Sequence, residues 1–440
     1  MKRGLHMRLY QSVITYLVVL LLGWVDSPVA FSQTRTGNAA AGAAATVAPG
    51  GGPVAIPAGG SYELIGTYSI ERLNRIVGEE LDEFMKSSTM PTDFRGRFEP
   101  ARYAVKLYRV RYRSVIPEQE NRPVLASGLV AIPETGKNRM PLVSYQHGTV
   151  FDRSDVPSNP DRSMETRLMV SRFAGQGYIV IAADYFGRGY SSVSDDSYLV
   201  RDSTRQAGRD LFLNVQDFLT AGGISVSHFF LSGWSQGGWV TMNYLHALES
   251  LGLPVTAAAA ASAPVDISLI MNRWINNPQP VDAPYLPGVV AIQLGAYEKY
   301  LRSSGLIEAA IRPQYVQPVR DLYDGKIDWT EFFKRTTPRL VDMVRPEFAL
   351  DGFTARSRYW RELDSLQAYR WRIISPLRVY YGGSDEVTPA YIGLLPEQTQ
   401  KLVGGRFTSS HYAGDRADHR AVFVFSVIDQ KRWFDGFLKD

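Results

Sequence analysis

The chain has 440 residues, of which 45% are hydrophobic and 21% are charged, and its formal net charge is +4. This is the composition of a folded globular protein with room for a large core, so an intrinsically disordered chain is excluded. The small charge, without a basic stripe interleaved with aromatic residues, argues against nucleic acid as a partner. The absence of cysteine excludes disulfides, iron–sulfur clusters and thiolate zinc sites.

The first 32 residues have the features of a secretory signal peptide. The segment begins with three basic residues, which are Lys2, Arg3 and Arg8. An uncharged apolar run at 13–25 follows, and small residues precede Gln33. An uncleaved membrane anchor is the alternative, but because the run is short for a bilayer span, we expect cleavage before Gln33 and no stable membrane span afterwards. The mature protein is therefore predicted to be secreted or periplasmic.

Residues 33–60 are rich in alanine, glycine and proline, which predicts a flexible linker. Apolar residues at helical spacing then predict an amphipathic helix over 70–84. Short apolar runs predict six strands at 104–112, 124–132, 142–145, 178–183, 229–231 and 255–260. Helical spacing predicts further helices at 164–173, 207–218 and 240–248. This alternation indicates an α/β fold, with a mostly parallel central sheet and helices on both faces.

The alternation stops between residues 266 and 374, a stretch rich in proline, tyrosine, tryptophan and arginine. Helices are predicted there at 289–300 and 340–348. Strands resume at 377–382 and 407–412, and a helix closes the chain. We therefore predict a core made of residues 61–265 and 375–440, with a mainly helical cap, 266–374, inserted after the sixth strand. A separate domain with its own function is the alternative for that segment.

An apolar run that ends at Gly233-Trp234-Ser235-Gln236-Gly237 and restarts as a helix predicts a nucleophile elbow. A serine in such a turn has strained backbone geometry, which requires neighbours two positions away without side chains. The pattern alone is weak; its strand, its helix and its downstream partners give it value.

A serine nucleophile needs a base, and the base needs an orienting acid, in the chain order Ser, Asp or Glu, His. Asp385 follows the predicted strand 377–382 and is the candidate acid; a turn-capping role is its alternative. Asp266 is the spare acid, and the adjacent Glu386 is expected to point elsewhere. His419, predicted in a loop before the last helix, is favoured as the base over His411, which lies within a predicted strand.

The oxyanion formed by attack on a carbonyl needs preorganised N–H donors. The backbone N–H of Gln236, directly after Ser235, is the first candidate. The loop after strand 142–145 supplies the second, for which we favour the N–H of Thr149 beside Gly148. His147 is expected to hold this loop by hydrogen bonding, since no second ligand at suitable spacing indicates a metal site.

Five segments together resemble the α/β-hydrolase superfamily, in particular secreted bacterial esterases and lipases of the secretory-lipase type. They are Tyr145 to Thr149, Ala183 to Gly189, Gly233 to Gly237, Gly382 to Pro389, and His419 before the last helix. The resemblance implies serine chemistry with Ser235, Asp385 and His419 as the catalytic triad and no cofactor. It does not identify the substrate.

The sequence thus predicts a secreted serine hydrolase that acts on a small-molecule or lipid ester through an acyl-enzyme. Two alternatives stay open at this point. A serine exopeptidase would use the same triad and an acidic cap pocket, for which the cap has Glu298, Glu308, Glu331, Glu347 and Glu362. A hydrolase-fold binding protein without activity is the second alternative.

Overall fold

Ten strands form one sheet in a computed structural model that describes residues 54–55, 60–88, 97–192, 195–354 and 357–439. The predicted signal peptide and all of the predicted linker except residues 54, 55 and 60 lie outside the described residues. The strands, β1 to β10, are Val54–Ala55, Ser61–Tyr68, Val105–Ile116, Arg122–Pro133, Arg139–Gln146, Ile179–Ala183, Ser225–Trp234, Ala257–Ala261, Leu377–Tyr381 and Thr408–Tyr412.

The strand order is β1-β2-β3-β4-β6-β5-β7-β8-β9-β10. Strands β1 to β4 and the β4–β6 pair are antiparallel, whereas β6, β5, β7, β8, β9 and β10 run parallel. The α/β prediction with a mostly parallel centre is confirmed. The carboxyl ends of β5, β7, β8 and β9 therefore lie along one edge of the sheet, where sites in such folds form.

The helices, α1 to α15, are Ile70–Arg75, Leu81–Met85, Met164–Phe173, Arg201–Ala221, Gln236–Ser250, Ile267–Asn276, Leu286–Tyr300, Leu306–Ala310, Pro313–Tyr323, Trp329–Arg335, Leu340–Met343, Pro346–Thr354, Arg358–Ser365, Ala390–Val403 and His419–Gly436. A π-helical segment, Ile76–Glu80, joins α1 to α2. Within the described part of the chain, no helix combines the length and apolar character needed to cross a membrane.

Strand β8 shows how the sheet is covered on both faces. It consists of five buried alanines, and successive alanines belong alternately to two apolar clusters. One cluster contains residues of α4 and α5, and the other contains residues of α3 and α15. Small residues also let α5 approach closely, since a Cβ on Gly238 would lie 2.7 Å from Cβ of Ala263. This packing holds the start of α5 directly over the strand ends.

Helices α6 to α13 lie between β8 and β9, in the segment predicted to be a cap. Their apolar residues, among them Val290 and Phe332, belong to the same cluster as Leu211 and Leu245 of the core helices. The segment follows the eighth strand rather than the sixth, because β1 and β2 were not predicted. Strand β2 has a register shift between Leu64 and Gly66 that interrupts its alternation.

Two further expectations differ from the structure. The predicted helix over 340–348 is two helices, α11 and α12, separated where Val344 pairs with Ile311 in an isolated antiparallel bridge. Pro346 explains the break, since proline has no N–H and disfavours helical geometry in the residue before it. Val54 and Ala55, placed in the linker, pair with β2 instead.

Candidate active site

Ser235 occupies the turn between β7 and α5 with a φ of 56° and a ψ of −123°. A non-glycine residue in this region carries backbone strain, typically of order 1–3 kcal/mol, and such strain clusters at functional sites. The Ser235 N–H donates to the Ala261 carbonyl at 2.9 Å, which ties the turn to β8. Ser235 is largely buried but retains 8% of its surface accessible.

The glycines on either side of this turn have no room for a side chain. A Cβ on Gly233 would lie 2.1 Å from the Gly237 carbonyl oxygen. A Cβ on Gly237 would lie 1.8 Å from the carbonyl oxygen of Gln146, at the end of β5. Close approach of the backbones, rather than flexibility, is therefore the reason for glycine at both positions, and it brings the loop after β5 against the start of α5.

The strain at Ser235 can be measured through Ser235→Gly. We expect the free energy of unfolding of Ser235→Gly to be about 1 kcal/mol higher than that of Ser235→Ala, because glycine adopts a positive φ without a Cβ penalty. Alanine is the matched reference because both variants lack the hydroxyl. Chemical denaturation of the two proteins measures the difference; equal midpoints and slopes would show that the turn is unstrained.

Asp385 and His419 form a buried hydrogen-bonded pair. The Nδ1 of His419 lies 2.9 Å from Oδ1 of Asp385. The same oxygen accepts the backbone N–H groups of Val387 at 3.0 Å and Thr388 at 2.8 Å. Oδ2 accepts the Ser262 hydroxyl at 2.6 Å. Four donors thus hold the carboxylate in the turn after β9, so its orientation toward the imidazole is preorganised.

The electrostatics of this pair favour the ionised acid and a basic imidazole. Burial by itself raises the pKa of Asp385, but the charge of His419 and the hydrogen bonds lower it below its usual value. Burial by itself lowers the pKa of His419, but the charge and hydrogen bond of Asp385 raise it above the ordinary value. A histidine oriented by a buried carboxylate in this way is suited to accept a proton from a hydroxyl.

His419 is the first residue of α15, not part of a loop before it as the sequence predicted. Asp418 is the N-cap residue, and its side chain accepts the Ala421 N–H at 2.9 Å. The backbone N–H of His419 donates to Oε2 of Glu386 at 3.0 Å. Glu386 therefore supports the backbone of His419. The sequence did not predict this role for Glu386, although its position next to Asp385 was an available signal.

Contacts of Trp234 and of the β8 end bring the three segments together. The Trp234 indole N–H donates to the His419 carbonyl at 3.0 Å, and the rings of the two residues are 5.0 Å apart. Ser235 bonds Ala261, while the next residue, Ser262, bonds Asp385. The ends of β7, β8 and β9 thus place the turn that carries Ser235 at the same sheet edge as the Asp385–His419 pair, with Trp234 in contact with His419.

The loop after β5 lies against the same turn. A Cβ on Gly148 would lie 3.2 Å from Cε3 of Trp234 and 3.3 Å from the Trp234 carbonyl oxygen. The Thr149 hydroxyl is 2.8 Å from the Tyr198 hydroxyl, which holds the loop from its other side. Gln236 is the first residue of α5, so its N–H has no partner within the helix. Both candidate donors thus belong to segments that meet at Trp234 and Ser235.

His147 braces this loop. Its Nδ1 lies 2.8 Å from the Gly148 carbonyl oxygen and its Nε2 lies 3.3 Å from the Asp184 carbonyl oxygen. The ring stacks on Tyr185 at 4.2 Å between centroids. Burial lowers the pKa of His147 to about 4, so the ring is neutral near pH 7 and can donate only one of these two hydrogen bonds, of which the contact with Gly148 is the shorter. Among the described residues, no group of three or more His, Asp or Glu side chains is placed to hold a metal ion.

The two rival residues have other surroundings. His411 lies on β10, the last strand in the sheet order, where its Nε2 is 2.8 Å from the Ser409 hydroxyl. Asp266 is the N-cap of α6, accepting the Leu269 N–H at 3.0 Å and the Tyr369 hydroxyl at 2.9 Å. The hydrogen bond between Asp385 and His419 therefore joins the pair that the sequence favoured.

Comparisons with known proteins bear on the fold. No protein-family model matches the chain, and no curated protein matches it in sequence. A proposed hydrolase of Legionella pneumophila is 22% identical, with a TM-score of 0.76 over 86% of this chain and 98% of that one. The rice cell wall degrading esterase LipA of Xanthomonas oryzae is 19% identical, with a TM-score of 0.72 over 85% of this chain and 97% of the LipA chain.

Candida antarctica lipase A in its closed state is also similar, at 15% identity and a TM-score of 0.58 over 81% of this chain and 87% of that one. These three proteins share their architecture with this chain at low sequence identity. The protein therefore has the α/β-hydrolase fold.

Proposed function

We propose that the protein is an exported serine hydrolase that cleaves carboxylic esters. The observation that carries this proposal is the hydrogen bond between His419 and Asp385 beside the strained turn of Ser235. A strained, nearly buried serine, a buried imidazole and a fully bonded carboxylate in one place are what nucleophilic acyl transfer requires.

In the proposed mechanism, the Ser235 hydroxyl attacks the ester carbonyl carbon while His419 accepts its proton. The N–H groups of Gln236 and Thr149 stabilise the resulting oxyanion, and Asp385 stabilises the imidazolium. The C–O bond to the alcohol then breaks, and the alcohol leaves with the proton from His419. Water, deprotonated by His419, attacks the acyl-enzyme, and the carboxylic acid is released as Ser235 regains its proton.

Aromatic residues near the site favour a substrate with an apolar group. Phe151, two residues after Thr149, stacks on Trp329 of α10 with centroids 3.6 Å apart. Phe151 also lies 6.1 Å from the ring of Tyr285, whose hydroxyl is 3.5 Å from Oε1 of Glu386. These three aromatic rings form a wall between Glu386 and the loop His147 to Thr149, which we call the oxyanion loop. We therefore propose that segment 266–374 covers the site and that an acyl or aryl group of the substrate contacts this aromatic wall.

The cap glutamates do not favour the exopeptidase alternative, which needs an acidic group for the substrate amine. Each has an arginine within 4.0 Å; the pairs are Glu298–Arg320, Glu308–Arg320, Glu331–Arg335, Glu347–Arg345 and Glu362–Arg358. Each of these five carboxylates thus has a cationic partner within the cap, with Arg320 shared between Glu298 and Glu308. We therefore propose an ester as the substrate, and export on the basis of the basic and apolar leader.

The proposal is tested by labelling the protein with a fluorophosphonate and locating the modified residue by mass spectrometry. We expect stoichiometric label on Ser235, because only an activated serine reacts readily with this probe. Label on another residue, or none, would contradict the proposal. In parallel, turnover of a nitrophenyl ester is expected to exceed that of an amino-acid arylamide; the reverse order would indicate an exopeptidase.

A further inference from the structure

Glu165 is a buried acid that the mechanism above does not use. It is the second residue of α3 and only 6% exposed. Its Oε1 accepts the backbone N–H of Gly148 at 2.7 Å and also the hydroxyl of Tyr145, which lies on β5. A carboxyl group in such a position is costly to bury, so its two hydrogen bonds, one from the end of β5 and one from the loop that follows it, call for a role.

The contact with Gly148 reaches the oxyanion loop itself. The Gly148 N–H belongs to the peptide that joins His147 to Gly148, and Glu165 holds this peptide. The Gly148 carbonyl and the Thr149 N–H belong to the next peptide, whose oxygen lies 2.8 Å from Nδ1 of His147. The two consecutive peptides are therefore each held by a buried side chain, and the second of them presents the Thr149 N–H.

Glu165 also lies close to Trp234, the residue before Ser235. A Cβ on Gly148 would be 3.3 Å from Oε2 of Glu165 and 3.2 Å from Cε3 of Trp234, which precedes Ser235. Burial raises the pKa of Glu165 to about 7, although the hydrogen bonds from Tyr145 and Gly148 and the charge of His419 act in the opposite direction. The titratable groups that face it are Tyr145 from β5, Tyr185 after β6 and His419 from α15.

We propose that Glu165 is a positioning residue that holds the peptide between His147 and Gly148, and with it the Thr149 N–H, in the place where the oxyanion forms. This inference rests on the proposed ester hydrolysis. Glu165 itself does not touch the substrate. Its contribution is to keep the loop preorganised, so that the donor need not be reoriented during the reaction.

The test compares Glu165→Ala with Glu165→Gln. Loss of one oxyanion donor typically costs about 10²–10³ in kcat, so a displaced donor in Glu165→Ala is expected to lower kcat about 10–100-fold with KM little changed. Affinity for a trifluoromethyl ketone, which forms a tetrahedral oxyanion adduct, should fall by the same factor. Glu165→Gln keeps an oxygen that can accept from Gly148 and Tyr145, and should restore both quantities.

A pH profile supplies a readout that packing alone does not change. The ionised form of Glu165 adds to the negative groups that favour the imidazolium of His419, which are Asp385, Glu386 and Asp418. Because the pKa of Glu165 is about 7, its charge is present only near and above that pH, where the amide in Glu165→Gln removes it and so weakens proton binding by His419. The upper part of the acid limb of kcat/KM, near pH 7, should therefore move to lower pH in Glu165→Gln; a limb unmoved there would contradict this electrostatic contact.

The outcomes separate the inference from the proposed function. If the wild type hydrolyses esters and Glu165→Ala binds the ketone as tightly as the wild type does, the positioning role of Glu165 is wrong and the proposed function stands. If Glu165→Gln is as impaired as Glu165→Ala while thermal unfolding shows both folded, the role is wrong as well. If the wild type has no esterase activity that depends on Ser235, the proposed function itself fails.

Discussion

The Ser235→Ala variant is expected to lose ester hydrolysis by a factor of about 10⁴–10⁶ in kcat, because the proposed acyl-enzyme forms on the Ser235 hydroxyl. Alanine retains the Cβ and the backbone bond to Ala261, so the fold should be unchanged. A chromogenic short-chain ester measures turnover, and circular dichroism with thermal unfolding measures the fold.

Ser227→Ala is the matched control for this variant. Ser227 lies on β7, the strand that leads to Ser235. Its hydroxyl is 3.1 Å from Nδ1 of His228, which is not one of the catalytic candidates. We expect this control to retain wild-type turnover. Retained hydrolysis in Ser235→Ala would exclude Ser235 as the nucleophile, and equal losses in both variants would point to a general defect of β7.

The Asp385→Asn variant is expected to lower kcat by about 10⁴, since an amide favours the wrong tautomer of the imidazole while keeping the side-chain shape. The sign of its pH effect follows from the charge. The carboxylate raises the pKa of His419, so its removal lowers that pKa. The acid limb of the remaining kcat/KM should therefore move to lower pH, which a profile between about pH 4 and 9 measures.

Asp266→Asn is the matched control for the acid. Asparagine can also serve as an N-cap, so α6 should keep its cap and the variant should remain folded. We expect turnover and the pH profile to stay close to those of the wild type. If Asp266→Asn were the inactive variant and Asp385→Asn the active one, the orienting acid would be Asp266.

Local sequence was enough to predict much of the fold and the candidate site. The elbow was predictable because such a turn brings backbone segments so close together that only glycine fits at positions 233 and 237. The helix predicted from apolar spacing at 164–173 has the bounds of α3, Met164–Phe173, and in the structure the Ser163 side chain caps its start by accepting the Thr166 N–H. A bulge interrupts the alternation of β2, so its local pattern does not predict a strand. Apolar spacing alone predicts one helix over 340–348, whereas Pro346 divides it into α11 and α12.

The partners of each side chain depend on contacts between distant segments. Local pattern favoured His419 over His411 but could not show which of them meets the acid: the parallel pairing of β9 with β10 sets His411 beside Tyr380, while the first turn of α15 carries His419 to Asp385. Glu165 was not predicted and the contact of Glu386 with His419 was not expected, since each meets its partner only after α3 and α15 pack against the sheet.

By itself, the sequence determined the types and order of the elements and the chemical groups available, because backbone propensity, apolar period and glycine sterics act over a few residues. Only the tertiary structure decided which acid meets which imidazole and which buried carboxyl holds the oxyanion loop. Those choices depend on strand order and helix packing, which bring together residues separated by tens to hundreds of positions.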